Sequence, residues 1–290
     1  MDKVLPNFLI VGAAKSGTTS LFEYLNQHPD IFLPEFKEPQ FLVLEDIAGC
    51  VYKYVDNWGD YVNLFADADG VKLRGEASVF YLYYYETAIR NIQKYLGTDV
   101  KIIIILRNPV ERAFSAYNHT LKNNPDESLD SFEKALEAED ARIKKGKISP
   151  MLFYKSMGLY YESVKAFKEN FKNVLVLDYA EMIKAPDSLL KKIFDFLEVP
   201  PFQVDYGVVY NKGGKVWKSK FLKNLAKTKF MQAVIRNIPK GISKRLKKQM
   251  FTPINITLSD ETRAKLKEFY KDDITKLTQT EKQFEYWLKK

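Results

Sequence analysis

Residues 100–106 read VKIIIIL, and this run constrains the fold more than any other stretch of the chain. A strand that is β-branched at almost every position has no polar face, so it is stable only where both faces are covered. That is the situation of a central strand in a parallel sheet, whereas an antiparallel sheet with one wet face needs alternation. A sheet sandwiched between helical layers is therefore predicted.

The rest of the chain supplies strands and helices in alternation, the pattern of a parallel α/β sheet. Strands are predicted at 8–11, 31–33, 71–76 and 174–177, and helices at 18–27, 84–96, 131–145, 158–170, 188–197 and 259–287. The stretch 34–41, PEFKEPQF, carries two prolines and should be irregular. After VKIIIIL a helix start is readable: Asn108 as N-cap, Pro109 at the first position and Glu111 placed as in a capping box, with the helix running to about 122. Within 219–238 the apolar residues fall at helical spacing among lysines. With no internal repeat or linker, residues 1–290 are expected to form a single domain.

The first strand runs into GAAKSGTTS, residues 12–20. Glycines there let backbone N–H groups turn towards a phosphate, and the helix that follows adds the favourable end of its dipole. A Walker A loop would place lysine directly after the second glycine. Here Thr18 and Thr19 follow Gly17, and the lysine is Lys15. Arg107 stands at the carboxyl end of VKIIIIL, where ligands of open α/β sheets bind, and its forked guanidinium suits a phosphate dianion. Ser115 lies two turns into the following helix, and His119 is four residues further on the same face. A nucleotide kinase would want an acidic Mg²⁺ ligand where Arg107 stands. Its remaining candidate is Asp178, at the end of VLVLD.

These pieces resemble a known family. FLIVGAAKSGTTSL together with IIIILRNPVERAFSAY is similar to the two cofactor-binding motifs of sulfotransferases that use 3′-phosphoadenosine 5′-phosphosulfate (PAPS), closest to the heparan-sulfate-type and bacterial members. HPDIFLPEFKEPQFL, GEASVFYL, GLYYESVKAFKENF and VLVLDYAEMIKAP fall in the family's order, as do the stretch 211–222 and the C-terminal helix, so the resemblance covers nearly the whole chain.

The resemblance implies a P-loop-like α/β fold with a central parallel sheet flanked by helices. Lys15, Ser16, Gly17, Thr18 and Thr19 would hold the 5′-phosphosulfate, and Arg107 and Ser115 the 3′-phosphate. Lys212, Gly213, Gly214 and Lys215, in NKGGK, would close over the nucleotide. Glu38 would be the general base and Lys15 the cation at the leaving phosphate, with the product adenosine 3′,5′-bisphosphate (PAP) and no metal required. His119 is a second candidate for the base. Read structurally, Glu38 is only a solvated loop carboxylate beside Lys37 and His119 only a helix-surface histidine. Ala77 stands where the heparan-sulfate-type enzymes often carry a lysine, which implies a different acceptor. The rivals are a nucleotide kinase and a non-catalytic nucleotide-binding or anionic-surface-binding module of the same fold.

Charge bears on partners. The net charge is +8, yet residues 211–250 hold 13 Lys and Arg and no acid, leaving 8 − 13 = −5 for the rest. A basic block of this kind faces an anionic ligand or lipid headgroup more often than a diffuse positive surface does. It suits an acidic saccharide or peripheral contact with an anionic surface; a glycan, lipid, sterol or phenol acceptor is expected, carbohydrate first, and no nucleic acid. One cysteine, Cys50, allows no internal disulfide, and two histidines form no zinc cluster. The opening MDKVLPNF lacks the pattern of a basic leader followed by a long apolar stretch, and no apolar run reaches the ~18 residues of a membrane span, so neither secretion nor membrane insertion is expected. A cytoplasmic enzyme is expected.

Overall fold

A computed structural model of the protein describes residues 4–123, 127–207, 215–217, 251–253 and 257–289. Five parallel strands form one sheet in the order β2-β3-β1-β4-β5, from β1 (Phe8–Gly12), β2 (Ile31–Phe32), β3 (Leu73–Ala77), β4 (Lys101–Leu106) and β5 (Val174–Asp178). From β1 the chain passes to the edge strand β2, returns to β3 between the two, then crosses to the other side for β4 and β5. The carboxyl ends of β1, β3 and β4 therefore meet at a topological switch, the place where open α/β sheets leave a crevice.

VKIIIIL behaves as its composition requires. Ile102, Ile104 and Leu106 face one apolar cluster and Ile103 and Ile105 the other, all fully buried. Burying an aliphatic side chain of this size contributes about 1.5–3 kcal/mol, which pins the strand at the sheet's interior. One cluster takes Leu21, Phe22 and Leu25 of α1 (Thr18–Leu25), the other the buried faces of helices later in the chain. Those helices follow in order: α2 (Leu44–Ile47), α3 (Trp58–Asn63), α4 (Tyr85–Leu96), α5 (Pro109–Asn123), α6 (Phe132–Glu137), α7 (Glu139–Lys145), α8 (Tyr161–Asn170), α9 (Tyr179–Lys184), α10 (Pro186–Leu197) and α11 (Asp260–Thr280). Of these, α10 shares the cluster of α1, while α4, α5, α8 and α11 cover the opposite face.

Several boundaries differ from the sequence reading because the deciding partner is distant. The predicted helix over 131–145 is two, broken at Ala138, and Glu139 then turns inward to accept the N–H groups of Lys155 (2.6 Å) and Ser156 (2.8 Å). Helix α8 starts at Tyr161 rather than 158, where Asp273 of α11 accepts the N–H groups of Tyr160 (2.8 Å) and Tyr161 (3.1 Å). Helix α10 starts at Pro186, two residues before the predicted position, with proline in its first turn. The last helix ends at Thr280 and is followed by a 3₁₀ segment, Lys282–Trp287. Residues 215–217 and 251–253 pair as two antiparallel strands, β6 and β7. The helical pattern predicted at 219–238 lies outside the described residues.

Candidate active site

The loop after β1 is tied down at both ends. Ala13 N–H donates to Ile105 O of β4 at 2.8 Å, and Ser16 N–H closes a turn onto Ala13 O at 3.2 Å. Lys15 adopts φ 68°, a left-handed conformation that costs a non-glycine residue on the order of 1–3 kcal/mol. Gly17, at φ 85°, has no such penalty, and its missing Cβ matters: an added one would lie 2.2 Å from Met182 Cε and 2.9 Å from the Tyr179 ring. Gly17 is also the N-cap of α1. Among the described residues no side chain caps that helix and no acid sits in its first turn, so its end presents bare N–H groups and an uncancelled dipole. Ser16 is fully buried; its Oγ has no hydrogen bond of standard geometry among the described residues, the Tyr160 phenol being near enough only for a weak contact.

Arg107 closes on this loop from the end of β4. Its Nη1 donates to Lys15 O at 3.3 Å, its guanidinium lies 4.9 Å from the centroid of the Tyr179 ring, and its own carbonyl accepts the Tyr160 hydroxyl at 3.0 Å. Glu111, four residues further on, is paired with Arg263 of α11 at 2.5 Å. It therefore does not turn back to complete a capping box; Asn108 Oδ1 alone caps α5, accepting Val110 N–H at 3.1 Å. Beside Arg107 opens a groove of about 350 Å³, lined among others by Tyr179, Ile183, Lys184, Lys267 and Tyr286. Asp178, at the end of β5, is committed: one carboxylate oxygen accepts Ala180 N–H at 2.8 Å as the cap of α9, the other accepts the Tyr286 hydroxyl at 2.8 Å.

Lys15, Glu38 and His119 are brought close enough for each charge to act on the others. Burial first, then repulsion from Arg107, pushes the Lys15 ammonium down to about 8; Glu38 opposes the shift, and Lys122 and Lys37 add to it. Burial and then Lys15 hold the His119 imidazole down at about 4, with Glu38 again opposing. Burial also lowers Lys122, one helical turn beyond His119 on α5. Ser115 is half-buried on the same helix. Glu38 accepts from Lys37 Nζ at 2.5 Å and sits, like Gln40, in the left-handed region, with φ 62° and 55°.

A second carboxyl lies close enough to feel the charge of Glu38. Glu76, fully buried at the end of β3, accepts Ser78 Oγ at 2.7 Å, Tyr81 OH at 2.7 Å and Tyr61 OH at 3.0 Å. Burial pushes it up to about 7, the three hydroxyls oppose that, and Glu38 adds to it.

The structure thus gathers Lys15, Ser16, Gly17, Thr18 and Thr19 in one loop and helix start, with Arg107, Glu38 and His119 around it. Lys212, Gly213 and Gly214 lie outside the described residues, as does the Lys215 side chain. The sequence reading passed over Lys37, Lys122, Tyr179 and Glu76. Two of these had a usable signal: Tyr179 follows a strand end as Arg107 does, and Lys122 shares a helix face with Ser115 and His119. Among the described residues no group of His, Cys, Asp or Glu could hold a metal ion, and no helix is long and apolar enough to cross a membrane.

Comparison with known proteins gives a family match, the sulfotransferase domain, over residues 5–278. The crystal structure of a sulfotransferase from Alicyclobacillus acidocaldarius superposes with a TM-score of 0.71 at 29% identity, covering 95% of each chain. The membrane-associated sulfotransferase kil1 of Dictyostelium discoideum is 36% identical over 139 residues, 47% of this chain and 28% of kil1. Mouse heparan sulfate glucosamine 3-O-sulfotransferase 3B1 is 26% identical over 213 residues, 73% of this chain and 50% of the mouse protein. The chain spans half or less of the length of these two curated relatives.

Proposed function

Because the chain belongs to the sulfotransferase domain family, we propose that it transfers a sulfuryl group from PAPS to a hydroxyl or amine of an acceptor, with carbohydrate the first choice and lipid, sterol or phenol the second. The carrying observation is that Lys15 and Arg107, two cations, are drawn together over a helix start with no capping side chain. Like charges at this range repel, and a polyanion between them removes the cost. The loop fits such a donor in a second respect, since the buried Ser16 hydroxyl lacks a proper partner.

When bound, PAPS supplies a sulfuryl group activated by an anionic phosphate leaving group. Lys15 and the loop residues Ser16, Gly17, Thr18 and Thr19 would hold its phosphosulfate; Arg107 and Ser115 would hold the 3′-phosphate, and the groove beside Tyr179 would receive the nucleoside. By the family resemblance, Lys212, Gly213, Gly214 and Lys215 would close over it. Glu38 removes the acceptor proton, with His119 as the second candidate, and Lys15 neutralises charge on the leaving phosphate. Two fixed cations supply the neutralisation, so no metal is required. Asp178, spent on the α9 cap and Tyr286, is a poor Mg²⁺ ligand, which disfavours a kinase.

Carbohydrate comes first because the heparan sulfate glucosamine 3-O-sulfotransferase relative aligns over 73% of this chain. The test is thermal protection followed by transfer. PAP without metal, at about a hundred times its Kd, should add about 2.7 kcal/mol of stability, and label from ³⁵S-PAPS should appear in a saccharide acceptor. Protection by ADP with Mg²⁺ but not by PAP would overturn the assignment.

A further inference from the structure

Glu38 and Gln40 both hold left-handed backbone conformations although neither is glycine. Something outside the segment must hold them. The Gln40 side chain does not: it is 1% exposed, and neither its amide oxygen nor its amide nitrogen has a hydrogen-bond partner among the described residues. The main chain does. Gln40 N–H donates to Ser78 Oγ at 3.0 Å and Leu42 N–H to Tyr81 OH at 3.3 Å, while Pro39 O accepts Val55 N–H at 2.8 Å.

A hydroxyl has one proton to give, so its direction decides what the oxygen can accept. Ser78 and Tyr81 both give theirs to Glu76, at 2.7 Å each. Their lone pairs are thereby left for Gln40 and Leu42. Ser78 is itself fixed, its N–H donating at 3.1 Å to Ile10 O of β1, the strand that runs on into the Lys15 loop. The segment bearing Glu38 and the loop bearing Lys15 thus share an anchor.

We propose that Glu76 is a positioning residue: by orienting Ser78 and Tyr81 it fixes the main chain from Gln40 to Leu42, and so sets where the Glu38 carboxylate meets the acceptor. The inference rests on the reading of Glu38 as general base. It does not make Glu76 a proton carrier in the reaction, since its three partners are all buried hydroxyls from α3 and the β3–α4 connection.

Ser78→Ala and Tyr81→Phe remove the two acceptors while leaving Glu76 in place, so the test does not depend on the folding of a Glu76 variant. Amide hydrogen exchange of a peptide covering residues 38–43 should rise at least tenfold in Ser78→Ala, with α1 unchanged. The affinity for PAP, measured by calorimetry, should stay within about twofold. An unchanged exchange rate in residues 38–43 would overturn the proposal without any assay of turnover.

Turnover supplies the second arm, with ³⁵S-PAPS and desulfated heparan oligosaccharide, or with release of sulfate to water where transfer to that acceptor is not measured. Misplacing a reacting group by about 1 Å can cost on the order of 10²-fold, so Ser78→Ala should lower kcat about 10- to 100-fold. In a Glu38→Gln background it should cost nothing further. An equal loss in both backgrounds overturns positioning through Glu38. Full turnover in Glu38→Gln alone overturns the general-base reading instead.

Discussion

The Arg107 guanidinium donates to the main-chain carbonyl of Lys15 at 3.3 Å, so the arginine after β4 braces the lysine of the β1 loop through its backbone and not through its charge. The two positive groups are held near each other by a bond that ignores their repulsion. Part of that repulsion appears in Lys15, whose ammonium is pushed down to about 8 by burial and then by Arg107.

Affinity for PAP should therefore fall with pH above about 8. The bound anion favours the charged lysine, whereas the free protein has already lost that proton at higher pH. Binding then requires proton uptake, and Kd rises towards tenfold per pH unit until the bound-state pKa is reached. Below about 8 the lysine is charged in both states, and this contribution is flat. Calorimetry between pH 7.5 and 9.5 measures the slope, which Lys15→Met should abolish along with much of the affinity.

Arg107→Lys should separate two nucleotides. A lysine offers a point charge in place of a planar fork and cannot reproduce the contacts to Lys15 O and the Tyr179 ring together. A hydrogen bond to a charged group contributes about 1.5–3 kcal/mol. Affinity for PAP should fall about 10- to 100-fold while that for 5′-AMP, which lacks the 3′-phosphate, changes little. Equal losses for both would place Arg107 elsewhere on the nucleotide.

Gly17→Ala should damage both fold and site. The added methyl would enter a left-handed position and meet Met182 and Tyr179 at 2.2 Å and 2.9 Å. The backbone conformation alone costs on the order of 1–3 kcal/mol, and displacing Tyr179 removes the ring beside Arg107. Urea denaturation should show a loss of at least about 2 kcal/mol. Thr19→Ala, a change in the same turn with no backbone strain, should leave stability nearly unaltered.

The legible parts of this protein are those whose cause is local. VKIIIIL announces a strand covered on both faces, and GAAKSGTTS announces a turn into a helix start, because the residues that need the conformation are the residues that carry the signal. Arg107 was readable by its place after a strand. Glu76 was not, because its partners Tyr61 and Tyr81 come from either side of β3 and meet only in the fold. The start of α8 was hidden for the same reason, its cap being Asp273, more than a hundred residues away. The site's electrostatics were legible as a list of cations and carboxylates, but not as a set of shifted groups, since burial is the first cause in Lys15, Glu76 and His119 alike.

Glu38 and His119 compete for one role, and their surroundings rank them. Burial and Lys15 hold the imidazole near 4, so at pH 7 it is neutral but a weak base, disfavoured from taking a proton beside that same lysine. Glu38 is placed by contacts instead: Lys37 Nζ holds its Oε1 at 2.5 Å, and Lys15 lies close enough to feel its charge. A positioned base contributes on the order of 10²–10⁴-fold. Glu38→Gln should therefore lower kcat by that amount with PAP affinity at pH 7 nearly unchanged, because the amide keeps the shape while losing the proton acceptor and its charge. His119→Asn should cost less than about tenfold, within what loss of a neutral hydrogen bond explains. If the two losses are reversed in size, the histidine is the base and Glu38 serves only to hold Lys37.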